Sequence, residues 1–131
     1  MNRYCQEVLD AHTLISRWLG DETAHDDVCE KLLGRFSPAF SMVTPGGAVL
    51  DFAALNAFFR TQRGARPGLN IDIGDMQVIA EGEKSATVVY KEWQQLPGQS
   101  ATLRFSTVVF ESEDDGNIRW RHLHETALPQ A

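Results

Sequence analysis

Little in this chain points to a special architecture. It has only two cysteines in 131 residues, too few to staple a small secreted fold. No apolar run approaches the ~18–20 residues that a membrane-spanning helix needs, and no charged-then-apolar leader opens the sequence. A cytoplasmic protein without membrane contact is therefore expected, with Cys5 and Cys29 as reduced helix-packing thiols. A basic surplus is missing too: twelve Lys and Arg face eighteen Asp and Glu, a formal charge of −6. Residues 1–65 carry six basic and eight acidic side chains, and residues 66–131 carry six and ten. Neither half attracts a phosphate backbone, so no nucleic-acid partner is expected. There is no G-x-S-x-G elbow and no phosphate-binding glycine loop; Gly46-Gly47 alone reads as a turn.

What is present is an ordinary globular composition, 43% apolar and 23% charged, in a length that suits one domain over residues 1–131. Helical period dominates the first third. Val8, Ala11, Ile15, Trp18 and Leu19 recur at three- and four-residue intervals, with Gly20 as the expected left-handed cap. A second helix is expected from about Ala24 to Leu33, its N-terminus favoured by Asp21, Glu22, Asp26 and Asp27. Phe36 to Val43 reads as extended. A third helix, capped by Asp51 and striped by Phe52, Leu55 and Phe59, should end at Gly64.

From residue 69 the period changes to two. Strands are expected at 70–80, 85–95 and 100–112 and from Ile118 onward, the first bent at Gly74-Asp75 and the others joined by short turns. Consecutive long strands with short loops favour an antiparallel meander. Helices first and strands last indicate α+β, a curved antiparallel sheet wrapped around the N-terminal helices. Such a cone has an open mouth, where a small molecule would bind.

At this point the order of three helices and a meander, the R-F-S-T-V-V-F strand and the closing G-N-I-R-W-R-H-L-H-E-T carry a resemblance. The chain is similar, over nearly its whole length, to the nuclear-transport-factor-2-like superfamily, especially its SnoaL-like and uncharacterised bacterial branches. The resemblance implies a conical α+β barrel (cystatin-like) that pairs as a homodimer through the outer face of the sheet. Its members include ketosteroid isomerases, scytalone dehydratases, polyketide cyclases and kinase association domains, so the fold is better constrained than the function.

Strand parity sorts the candidate site residues. On the last strand Trp120, His122, His124 and Thr126 share one face, and Arg119, Arg121, Leu123 and Glu125 the other. Arg104, Ser106, Val108 and Phe110 share a face of the preceding strand, and Tyr90, Glu92 and Gln94 a face of the strand before that. Apolar residues fall on both faces of the 100–112 strand, so a partner subunit should cover its outer face. The resemblance places the arginine of the R-x-[ST] strand and the alternating histidines inside the pocket. It thereby implies Arg104, Ser106, Tyr90, Trp120 and His122 as ligand-binding residues, with His124 and Glu92 as acid–base groups. Glu92 is the expected partner of Arg104, since a buried guanidinium must be paired. Two readings follow: cofactor-free proton transfer (isomerisation, dehydration or cyclisation) by His124 with Arg104 as stabiliser, or a structural Glu–Arg–His network in a binding or association module.

His122-x-His124 would need a third ligand to hold a metal, and Arg104 opposes Glu92 in that role, so neither metal nor cofactor is expected. His12 and His25 lie on predicted helices without evident partners and read as ordinary. Tyr4 and Tyr90 do not map onto the oxyanion donors of the isomerases, and the cyclase carboxylate has no secure match, with Asp72 and Asp75 as candidates.

Overall fold

A computed structural model describes residues 1–129. Three helices, α1 (Arg3–Gly20), α2 (Asp26–Leu33) and α3 (Phe52–Arg60), accompany six strands: β1 (Phe36–Val43), β2 (Val49–Asp51), β3 (Asn70–Glu81), β4 (Ser85–Gln95), β5 (Thr102–Ser112) and β6 (Ile118–Ala127). The strands form one curved, unclosed sheet in the order β2-β1-β6-β5-β4-β3. This is the expected α+β class. The meander β3–β6 is antiparallel throughout, but β1 joins β6 in parallel, with β2 folded back beside it. A strand reached from α2 enters the sheet beside β6, the last strand of the chain. Parity gave no warning of that pairing.

The helices form where their apolar stripes can be buried against the concave face. Asn2 caps α1 by accepting from the Tyr4 amide at 2.8 Å, and Tyr4, Val8, Ala11, Trp18 and Leu19 line the buried side. His25 caps α2 through Nδ1, which accepts from the Asp27 amide at 3.1 Å. Asp51 caps α3 by accepting from Ala54. That helix ends at Arg60, four residues before the expected stop at Gly64.

Gly20 does not act as a left-handed cap. It is the last residue of α1, and its neighbour Asp21 leaves the helix in extended conformation. The orphan carbonyls of the last turn are met instead by the segment that leads into β3. Gly64, Arg66 and Gly68 donate their amides to Trp18, Leu19 and Gly20 at 2.9, 2.8 and 3.0 Å, which satisfies acceptors a helix end otherwise leaves open. Glycine is needed at two of these three positions. Gly64 and Gly68 have φ of +64° and +75°, and a Cβ there would strike the backbone of Glu22 and the ring of Pro97.

Bulges supply the curvature. β3 breaks register between Gly74 and Gln77, where Asp75 has φ 50°. A Cβ on Gly74 would press to 2.9 Å on the Trp93 ring, so the bend expected at Gly74-Asp75 is present. β1 loses register between Phe36 and Ser41, around Pro38, which has no amide to give. β6 bulges at the same level: Phe110 pairs with Trp120 but Val109 with His122, leaving Arg121 unpaired. The Arg121 guanidinium donates to the Ala39 carbonyl at 2.7 Å and pairs with Glu111 on β5.

Candidate active or binding site

The concave face and the helices enclose a cavity of about 250 Å³. Its wall is mostly apolar: Ile15 and Leu19 from α1, Phe36, Phe40 and Met42 from β1, Leu55, Phe58 and Phe59 from α3. Its polar side is made by His12, Arg66, Glu92, Gln94, Arg104 and Glu125.

Two coupled networks organise that polar side. His12 sits on the buried stripe of α1, with Nδ1 2.7 Å from the Val8 carbonyl and Nε2 3.0 Å from Glu92 Oε1. A carbonyl only accepts, so Nδ1 carries a proton. One further proton must lie between Nε2 and the carboxylate. Burial favours the neutral imidazole, but the charge and hydrogen bond of Glu92 and the Val8 carbonyl outweigh it, and the His12 pKa is raised. Burial likewise opposes the Glu92 carboxylate. His12, the Gln94 side-chain amide on Oε2 and Arg104 prevail, and the Glu92 pKa is lowered. Both shifts favour the imidazolium–carboxylate form of the pair.

The second network centres on Glu125. Arg104 donates to its Oε1 at 3.3 Å and Ser106 to its Oε2 at 3.2 Å. Burial and the nearby Glu92 charge push its pKa up despite Arg104, His12 and Ser106. Tyr90 lies across the β4–β5 pair from Ser106 and edge-on to the His12 ring. Its hydroxyl is buried. Ser106 gives its proton to Glu125, and the Tyr90 hydroxyl has no hydrogen-bond partner among the described residues. Burial, with the charges of Glu92 and Glu125, raises the Tyr90 pKa well above its ordinary value.

The structure brings together some of the sequence candidates and separates others. Glu92, Arg104 and Trp120 line the cavity, and Tyr90 and Ser106 lie buried beside it on the same face. His122 and His124 do not. Past the Arg121 bulge the parity of β6 inverts, because one unpaired residue moves every following side chain to the other face. Leu123 and Glu125 turn inward, paired with Val108 and Ser106. His122 and His124 turn outward, paired with Val109 and Thr107. His122 is half-buried and bonded through Nδ1 to the Ser41 hydroxyl at 2.7 Å; His124 is exposed. The acid–base role expected of His124 has no cavity to act in, and the two histidines and Glu92 face opposite sides of the sheet.

The expected Glu92–Arg104 pair is also replaced: Arg104 binds Glu125, and Glu92 binds His12. Asp72 and Asp75 are exposed, bonded to Asn70 and Lys91, and Tyr4 packs on Phe110 with its hydroxyl against Arg3. Sequence reasoning missed His12, Arg66 and Glu125. For His12 the signal was available, since position 12 falls four residues after Val8 and three before Ile15 on the buried stripe. For Glu125 there was none, because the Arg121 bulge that turns it inward shows only in the pairing with β5. Nothing local marks Arg66.

No family model matches the sequence, and no curated protein matches it. Solved structures do. An NTF-2-like protein of unknown function from Pseudomonas aeruginosa is 41% identical, with a TM-score of 0.90 over 96% of this chain and 98% of its own. The association domain of the C. elegans calcium/calmodulin-dependent kinase II superposes with a TM-score of 0.71 over 95% of each chain at 15% identity. A candidate ketosteroid isomerase from Parabacteroides distasonis reaches 0.68 over 92% of this chain and 85% of its own at 9% identity. The two distant likenesses speak for the fold alone. The bacterial relative, matched nearly end to end, carries more: this chain belongs to the nuclear-transport-factor-2-like proteins.

Proposed function

We propose that the chain binds a small, partly polar organic molecule in the cavity between α1, α3 and the concave face of the sheet. The observation that carries this reading is the wall itself, a mostly apolar surface with a few polar groups, among which His12 and Glu92 hold one another, as do Arg104 and Glu125. That is the usual composition of a small-molecule site. The volume of about 250 Å³ falls just below the common range of ~300–1,000 Å³ and suits a small ligand. A blocked cavity tests it. Met42→Trp should abolish the chemical-shift changes that small aromatic and aliphatic fragments cause at Leu55, Phe59 and Leu123 in the wild-type protein. Absence of such changes in the wild type, or their survival in the variant, would sink the reading.

Glu125 supports a second, catalytic reading: cofactor-independent proton transfer of the isomerisation, dehydration or cyclisation type. It lines the cavity, its pKa is raised towards the range useful for an acid–base group, and Arg104 beside it would stabilise developing negative charge. It takes the place first expected of His124. A cavity-bound ketone should then exchange its α-hydrogens for deuterium faster than in free solution, and Glu125→Gln should remove the acceleration. No acceleration in the wild type would leave a binding module without chemistry.

The outer face of the sheet supports homodimer formation. Val89, Trp93, Phe105 and Val109 alternate there with Lys91 and Thr107, with Phe105 46% exposed, and an apolar sheet face of this kind calls for a cover. Light scattering should give a mass near two chains. A larger assembly would favour an association module, and a single-chain mass would remove the dimer.

A further inference from the structure

The charges around the cavity do not cancel. His12 is matched by Glu92, and Arg104 by Glu125. Arg66, which lines the same cavity, has no acidic partner among the described residues, and its Nε is buried without a hydrogen-bond partner. The side chain is half-buried, and a buried guanidinium N–H left without an acceptor is costly. Nor has the side chain strayed there by looseness of its loop. Its own amide is bonded to Leu19 at the end of α1, between the equally anchored Gly64 and Gly68. The anchored backbone thus carries Arg66 at the cavity, and no described residue forms an ion pair with it.

We infer that the ligand is a monoanionic organic acid, an apolar body bearing one carboxylate, and that Arg66 receives the carboxylate. This rests on the reading of the cavity as a binding site and adds the class of molecule. One surplus cation calls for one negative charge; a phosphate dianion would bring more than the wall neutralises, beside the carboxylates of Glu92 and Glu125. The planar fork of an arginine matches a carboxylate with two parallel bonds. The apolar body has its own surface in Met42, Leu55, Phe58 and Phe59.

The test compares acids with their isosteric amides, benzoate with benzamide and hexanoate with hexanamide, by calorimetry and NMR titration. Inorganic phosphate serves as an anion without an apolar body. Each acid should bind at least about tenfold more tightly than its amide, as a charge-assisted fork predicts, and phosphate should not bind measurably. Arg66→Gln should bring the acid-to-amide ratio near one, and Arg66→Lys should retain part of it. Unchanged melting curves establish that both variants fold. An amide binding as well as its acid, or a ratio unmoved in Arg66→Gln, overturns the anionic ligand and leaves the cavity as a binding site. Phosphate binding as tightly as the acids overturns the apolar body. If neither acids nor amides bind, this inference and the binding reading fall together.

Discussion

The concave and convex faces of the sheet are made by the same strands and carry opposite liabilities. On the concave face, ionisable groups are hidden: Glu92 and Glu125 are buried in the sheet, and His12 is buried over them on α1. On the convex face an apolar group is left in the open, with Phe105 exposed beneath the Lys91 ammonium. Hidden charge survives only when each group orients another, so the inner face is rigidly arranged before any ligand arrives. Open apolar surface costs little in local strain but invites contact, so the outer face is suited to a second protein surface. A chemical site and an assembly site can therefore share one sheet without sharing a residue, because alternate side chains along each strand belong to different faces.

The comparison breaks most sharply at Glu92. Glu92→Ala leaves an imidazolium and the Gln94 amide without their acceptor, and should cost about 3–5 kcal/mol in denaturant unfolding. A loss under 1 kcal/mol would mean that the inner network is not under this constraint. On the other face, Phe105→Glu should convert the dimer to monomer in sedimentation while leaving monomer stability within about 1 kcal/mol.

The pH dependence sharpens the contrast further. The His12 pKa is raised above 6.5, so its contribution is complete below that value and fades as pH rises through the folded-state pKa. The Glu92 pKa is lowered below 4.5, so its contribution is complete above that value and fades as pH falls through the folded-state pKa. Between these limits the pair stabilises most. Glu125 has the opposite sign for a carboxylate: its raised pKa favours folding on the acid side and loses that benefit as pH rises. In melts across pH, His12→Gln should flatten the alkaline decline; a decline of unchanged slope would assign it elsewhere. The smallest effect belongs to His124→Ala, within about 0.5 kcal/mol and without influence on ligand binding. A large binding defect there would return the outer histidine to the site.

The elements and their class were legible because period alone separates the helical stripe of Val8, Ala11 and Ile15 from the alternation of β4 and β5. On those two strands even the facing was readable: Tyr90, Glu92, Arg104 and Ser106 all turn inward as alternation requires. β6 defeated the same rule because its alternation runs unbroken through a bulge. Trp-Arg-His-Leu-His looks regular whether or not Arg121 drops out of the ladder, and only the partner strands decide. What His12 and the Arg66 amide bond to was hidden for another reason. Their partners lie 80 residues away on β4 or at the end of a helix, and a single sequence does not print such distances.

The clasp between residues 64–68 and the end of α1 separates two properties that proteins often entangle. It is written entirely in main-chain hydrogen bonds, so the rim keeps its course whatever side chain stands at position 66. Inheritance can then exchange the arginine for a neutral, bulky or acidic residue and alter which molecules are welcomed, with the scaffold left untouched. In a lineage whose members keep one architecture through very different sequences, a position of this kind is where new preferences can arise at least risk to folding.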